Sequence, residues 1–207
     1  MARKQSPPRQ PSGPRRIRWK LIILLMILAA GVGAYWAYQT PSGLYWRAKR
    51  LETSDPAKAE ELVIESVERA NRDYPAAQLF WCRLLAKSNR WVEALGCFGL
   101  IQAPEECNPS ELLGVAKLAL EGHQLLLAEK ALDAANRPGE DREAVLSLLM
   151  EIKQQTGQTE AAFDLAKQLT EVAPESPQPW QMMGQLYAAQ KQLGKAEDAC
   201  RKALERH

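Results

Sequence analysis

Residues 179–204 read PWQMMGQLYAAQKQLGKAEDACRKAL, two stretches with apolar side chains at helical spacing on either side of the polar break Gln190-Lys191. Displacing this pattern along the chain tests for internal repetition. Alanines recur at Ala94, Ala128, Ala162 and Ala196, each 34 residues from the last. Four further registers keep the same phase: Trp81, Val115, Leu149, Met183; Cys82, Ala116, Met150, Gly184; Phe98, Leu132, Ala166, Cys200; and Ile101, Ala135, Leu169, Ala203. Each unit is helical twice over. The breaks fall at Asn89-Arg90, Gly122-His123, Thr156-Gly157 and Gln190-Lys191. Asp55-Pro56, Asn108-Pro109 and Ser176-Pro177 pair a capping side chain with a proline whose missing N–H costs nothing at a helix start. Every unit is therefore expected to be a helical hairpin, with the small residue of its first helix and the alanine of its second allowing close backbone approach.

The last unit resembles a tetratricopeptide repeat, with Trp180, Gly184, Tyr187, Ala196, Ala203 and Leu204 at the family's signature positions and Met183 and Cys200 replacing the usual leucine and aromatic. The preceding unit matches through Gly157, Ala162 and Pro174; the two before it rest on the period, with Gln78 standing where the family prefers tryptophan. Four repeats are expected at about 75–108, 109–142, 143–176 and 177–207, preceded over 39–74 by a linker and a degenerate hairpin whose stripe Ala59, Leu62, Val63, Val67, Ala70 is one residue out of phase. The fold class is all-α, a stack of helical hairpins forming an α-solenoid. One hairpin cannot hide its own apolar face, so stacking stabilises the array.

The N-terminal part is of another kind. Residues 1–20 carry seven basic side chains, no acid, and Pro7, Pro8, Pro11 and Pro14, which reads as a disordered basic tail. Removing those seven from the 27 basic residues leaves 20 against 25 acids, about −5 for residues 21–207. Such an acidic remainder, with no second basic stripe, argues against nucleic-acid binding. Residues 21–38 contain no charge, and 18 residues at ~1.5 Å each cover roughly 27 Å, close to the ~30 Å hydrocarbon layer. Trp19 on one side and Tyr35, Trp36 and Tyr38 on the other suit the two interfaces. The run is expected to be a transmembrane signal anchor. Seven basic residues before it against Arg47, Lys49 and Arg50 after it place the N-terminus in the cytoplasm and the solenoid on the exported side. The rival is a cleaved secretion signal ending near Val32-Gly33-Ala34, disfavoured by the length of the run and the aromatics that follow.

Catalysis needs a positioned base, nucleophile or metal, and this inventory is thin. His123 lies in a break, His207 is the last residue, no C-x-x-C occurs, and no glycine-rich phosphate loop appears. We expect no enzyme, cofactor or metal. Cys82 and Cys200 fall on core positions, whereas Cys97 and Cys107 form a candidate disulfide for an exported domain. The resemblance implies that the first helix of each hairpin lines a concave groove for peptides or a partner helix. Leu79, Arg83, Lys87, Leu113, Lys117, Leu120, Glu151, Gln154, Gln155, Gln178, Gln181 and Gln185 occupy its positions, grading from basic and apolar to amide-rich. The lysines and asparagines by which chaperone-binding members hold a terminal carboxylate are replaced by Leu79, Gly114, Ala144 and Leu148, Arg83 alone being basic. The leading expectation is a membrane-tethered scaffold for other membrane or exported proteins. The alternatives are a spacer or oligomerisation stalk joined through the uncapped C-terminal end, the front of a larger repeat protein, and a secreted soluble protein.

Overall fold

A computed structural model describes residues 15–139 and 141–206; within the first helix the side chains at 15–18, 20, 21, 34 and 36 stand outside that description. Most of the expected basic tail, residues 1–14, also lies outside it. Helix α1 spans Arg15–Tyr38, so the expectation of disorder to residue 20 is corrected: the last proline is Pro14, and nothing after it opposes the helix. The uninterrupted described side chains of α1 are those of 22–33, all exposed. Among the described residues no helix is long and apolar enough to cross a membrane.

Five helical hairpins follow: α2 (Pro41–Leu51) with α3 (Pro56–Arg69), α4 (Pro75–Lys87) with α5 (Trp91–Gly99), α6 (Pro109–Glu121) with α7 (Leu125–Ala135), α8 (Arg142–Gln155) with α9 (Thr159–Val172), and α10 (Gln178–Ala189) with α11 (Leu193–Leu204). No strand occurs among the described residues. Asp55 and Asn108 cap α3 and α6, accepting from the backbone N–H of Lys58 and Ser110. Ser176 does not cap α10: Pro177 precedes that helix in helical conformation, with no side-chain cap.

The 34-residue alanine is the fourth residue of the second helix in each of the last four hairpins. Ala94, Ala128 and Ala162 are fully buried, and Ala196 nearly so. Opposite them lie the small or slender residues of the first helix. The Cys82 thiol donates to the Ala94 carbonyl at 3.3 Å. A Cβ on Gly184 would fall 2.8 Å from Cys200 Sγ and 3.5 Å from the Ala196 carbonyl. The turn between the two helices holds one left-handed residue at a constant place, Asn89 (φ 58°), His123 (57°), Gly157 (74°) and Lys191 (61°), again 34 apart. Glycine alone takes that conformation without cost, so three of the four turns are held by the packing on either side.

The first hairpin also buries an alanine at this place, with one residue fewer between its two small positions. Ala59 is also the fourth residue of its helix and fully buried. It follows the fully buried Ala48 by 11 residues, where 12 separate Cys82 from Ala94. Residues 52–55 join the helices without a left-handed residue, and α2 ends three residues after Ala48 where α4 ends five after Cys82, which produces the one-residue phase slip of the stripe. Three hairpins are also closed at their open ends by an arginine. Arg69 donates to the Gln39 carbonyl at 2.6 Å, Arg137 to that of Cys107 at 2.5 Å, and Arg206 to that of Pro174 at 2.8 Å.

Side chains between hairpins form one core through α4–α11 and a second around α2, α3 and the near face of α4, with the half-buried Trp81 packed against both. Cys200 departs from its register: Phe98, Leu132 and Ala166 are buried, but Cys200 is exposed, because no described residue stacks beyond α11. Gln78 is the one polar side chain at the tryptophan register, 3% exposed, with Oε1 unpartnered and Nε2 at 3.5 Å from the Leu100 carbonyl.

Denaturant titration of single variants checks these contacts. Gly184→Leu lowers stability by roughly 1–3 kcal/mol, since a side chain larger than a methyl must displace Cys200 Sγ and press on the Ala196 carbonyl. Gly114→Ala, inside α6 with open space around it, raises stability by up to ~1 kcal/mol from helix propensity. Gln78→Leu removes an unsatisfied buried carbonyl and raises stability by about 1–2 kcal/mol.

Candidate partner-binding face

The first helices of the hairpins are joined by polar contacts from one to the next. Glu52, at the end of α2, accepts from Arg83 at 2.5 Å and from Lys87 at 2.7 Å. Ser110 donates to Asp141. Ser147 pairs with Gln178 at 3.3 Å, Gln178 reaches Glu151 at 3.5 Å, and Gln154 donates to Gln185 at 3.1 Å. Four of these pairs, 52–83, 110–141, 147–178 and 154–185, have the same separation of 31 residues. One repeat less one helical turn brings the side chains of neighbouring first helices level, so the partner of a residue on this face is three places short of its repeat equivalent. Lys49 reaches further, from α2 to Glu111 at 2.5 Å on α6.

Placement of the expected groove residues divides the list. Leu79 (1% exposed) and Leu113 (6%) are core residues and cannot line an open groove, because each packs into the neighbouring hairpin. Leu120 is half-buried against the same core. Arg83 and Lys87 are not free cations, since Glu52, its side chain 12% exposed, pairs with both. Lys117, Glu151, Gln154, Gln155, Gln181 and Gln185 are exposed, and Gln178 is half-buried. The face thus has its cations already paired towards α2 and α4, one carboxylate serving two of them, and is amide-rich towards α8 and α10. Glu52, Lys49 and Glu111 escaped the sequence reading, although the 31-residue separation of Glu52 from Arg83 was available as a signal. Of the signature residues, Trp180 lies half-buried beneath the Lys202 ammonium (4.5 Å) and Arg206 guanidinium (5.1 Å), and Tyr187 packs edge-on to Phe163 at 4.9 Å.

Burial raises the Glu52 carboxyl, but hydrogen bonds and charge from Lys87 and Arg83 outweigh it and hold the group below the usual carboxylate range. The hydrogen bond from Lys49 to Glu111 outweighs burial and raises the ammonium. Tyr45 is raised by burial first and by the Glu111 charge second.

The candidate disulfide between Cys97 and Cys107 is not formed. Both are free thiols in the core, Cys97 donating to the Gln78 carbonyl at 3.5 Å. Burial pushes Cys97 up to about 12 and Cys107 up to about 11, and raises Cys82 further still, which suppresses the reactive thiolate. No group of three or more His, Cys, Asp or Glu side chains among the described residues could hold a metal ion. His123 sits in its turn at positive φ, and His207 lies outside the described residues.

The sequence matches no protein-family model. It matches no curated protein either. Solved structures do resemble the fold. A crystal structure of MamA protein superposes with a TM-score of 0.57 at 15% identity, covering 81% of this chain and 92% of that one. MamA residues 41 to the end from Desulfovibrio magneticus RS-1 gives 0.54 at 16% identity over 80% and 94%. The assembly chaperone of RpL4, Acl4, gives 0.52 at 17% over 81% and 75%. At these identities the likeness is one of fold.

The Glu52 cluster has a definite pH signature. Its carboxyl is depressed in the folded state, so its stabilisation is present above the unfolded value and is lost as pH falls through the depressed one. Melting temperature should decline on acidification from the ordinary carboxylate range downward, and Glu52→Gln should flatten that part of the curve. An unchanged profile for the variant would remove Glu52 from the stabilising contacts.

Proposed function

We propose, from a tetratricopeptide-like helical repeat fold, that the chain is a protein–protein interaction scaffold whose first helices form the binding face. The observation that carries this reading is the run of exposed polar side chains on α6, α8 and α10, Lys117, Glu151, Gln154, Gln155, Gln181 and Gln185, beside an α2–α4 end whose cations are already paired. Amides that donate and accept suit the backbone of an extended peptide or the polar edge of a helix. The partner is another protein, read by hydrogen bonds with modest apolar contact. Nothing in the inventory of side chains supplies a catalytic constellation, and the reading is non-enzymatic.

The scaffold is tethered to a membrane through residues 21–38, single-pass, with the N-terminus cytoplasmic and the solenoid on the exported side. Support comes from the uncharged 18-residue run, from the seven-to-three excess of basic residues before it, and from the exposure of Ile22, Ile23, Leu24, Leu25, Ile27 and Leu28 on a helix where no described residue covers them. The partners are then membrane or exported proteins.

A second reading is favoured by the uncovered face of α11. Leu193 (73% exposed) and Leu204 (75%) stand open at its two ends, Leu204 on a cleft of about 340 Å³ lined also by Gln181, Gln185, Cys200 and Ala203. This face suits pairing of two copies end to end, which would make the solenoid an oligomerising spacer.

Photo-crosslinkers at Gln155 and Gln181 should capture a protein partner in membranes, and one at Lys167 on a second helix should capture far less. Equal capture from both sides would sink the assignment of the binding face. Alkaline extraction reports the tether: the chain stays with the pellet with an intact N-terminus, whereas a mature chain starting near Tyr35 refutes the anchor. In sedimentation, a dimer of residues 41–207 that Leu204→Glu converts to monomer would favour the spacer reading over the scaffold.

A further inference from the structure

Helix α1 does not join the solenoid through a flexible linker. Two residues, Gln39 and Thr40, separate Tyr38 from Pro41, so the start of α2 lies within ~10 Å of the end of α1. The joint is fixed by several contacts. Thr40 Oγ1 donates to the Ala37 carbonyl at 2.7 Å and accepts from the Gly43 N–H at 3.1 Å. From α3, Arg69 donates to the Gln39 carbonyl and Ser66 to that of Pro41, both at 2.6 Å. Gly43 is where α2 meets α1: a Cβ there would fall 2.3 Å from the Ala37 carbonyl. If α1 spans, α2 is therefore held in the headgroup layer, which is roughly 5–8 Å thick on each side.

The side of α2 turned to this joint is unlike the rest of the helix. Leu44, Tyr45 and Ala48 are buried, and Lys49 is paired with Glu111. Trp46 is 63% exposed, Arg50 is exposed, and Arg47 stacks its guanidinium 4.2 Å above the Tyr38 ring. Neither arginine has an acidic partner among the described residues. Between them, Tyr38 and Gly43 lies a cleft of about 370 Å³. Two uncompensated guanidiniums offer forked donors matched to phosphate oxygens, and the flanking tyrosine and tryptophan are the side chains that settle at the headgroup level.

We infer that this cleft binds the phosphate headgroup of an anionic phospholipid, orienting the solenoid against the membrane surface. The inference rests on the proposed tether. Two cations within reach of the lipid phosphate select an anionic over a zwitterionic headgroup, because the latter carries its own compensating ammonium. Lipid contact at Arg47 and Arg50 would fix the rotation of α2, and through the joint that of the whole repeat stack.

Native mass spectrometry of the full chain in detergent, supplemented with phosphatidylglycerol or phosphatidylcholine, tests this. Wild type should retain phosphatidylglycerol with roughly a tenfold preference, and Arg47→Gln/Arg50→Gln should lose that preference. Helicity and retention after alkaline extraction should be unchanged in the double variant, and Arg47→Lys/Arg50→Lys should recover part of the preference. A double glutamine variant that selects phosphatidylglycerol like wild type overturns the lipid site while leaving the tether standing. Release of the wild-type chain by alkali removes the tether and this inference with it.

Discussion

The structure depends on one contact made five times: a small or slender residue of a first helix against an alanine at the fourth position of the second. Ala59, Ala94, Ala128, Ala162 and Ala196 hold that place, and each is buried. A methyl group is the largest side chain that lets the helix backbones come so close. Close packing then sets the angle between the helices, and the angle sets the face each hairpin offers to the next. Because the packing, the Lys49–Glu111 bridge apart, is between neighbours, an error in one hairpin passes chiefly to its two neighbours. The turns follow from the contact: Asn89 and His123 are residue types that tolerate the left-handed conformation, and Lys191 accepts it against its own preference.

Polar contacts between first helices add a second order to the stack. Their 31-residue separation is the repeat minus one helical turn, and it brings carboxylate to guanidinium near α2 and amide to amide near α10. The binding face is consequently asymmetric. At one end charge is consumed internally, with Glu52 sharing Arg83 and Lys87 and Glu111 holding Lys49 across two hairpins. At the other, amides remain turned to solvent with lone pairs and N–H groups to spare. A ligand with strong charge would have to displace internal partners at the first end, while a neutral hydrogen-bonding ligand meets no such competition at the second.

Much of the fold was legible in the residues, because a helical hairpin is a local object and its repeat is a spacing. The alanine register, the breaks at Asn89, His123, Gly157 and Lys191, and the caps Asp55 and Asn108 are all read from nearest neighbours. The candidate site was legible only in part. Leu79 and Leu113 sit on the expected face by spacing, but the twist between hairpins turns them into the core. Arg83 looks like a free cation until Glu52, in another hairpin, is brought beside it. Cys97 and Cys107 are close in sequence, yet each is drawn into the apolar interior as a separate thiol, and Cys200 misses the interior because no described helix stacks beyond it.

What the sequence by itself determined is the period, the helical hairpin as its unit and the uncharged run that precedes the array, since each follows from side chains within one or two turns of helix. Only the tertiary structure decided which cations are already paired, that the first hairpin's phase slip comes from an early end of α2, and that Gln39 and Thr40 form a braced joint rather than a hinge. Those outcomes depend on contacts some 30 residues apart, such as Arg69 with Gln39 and Arg83 with Glu52. Their partners are chosen by the rotation between stacked hairpins, which no local pattern encodes.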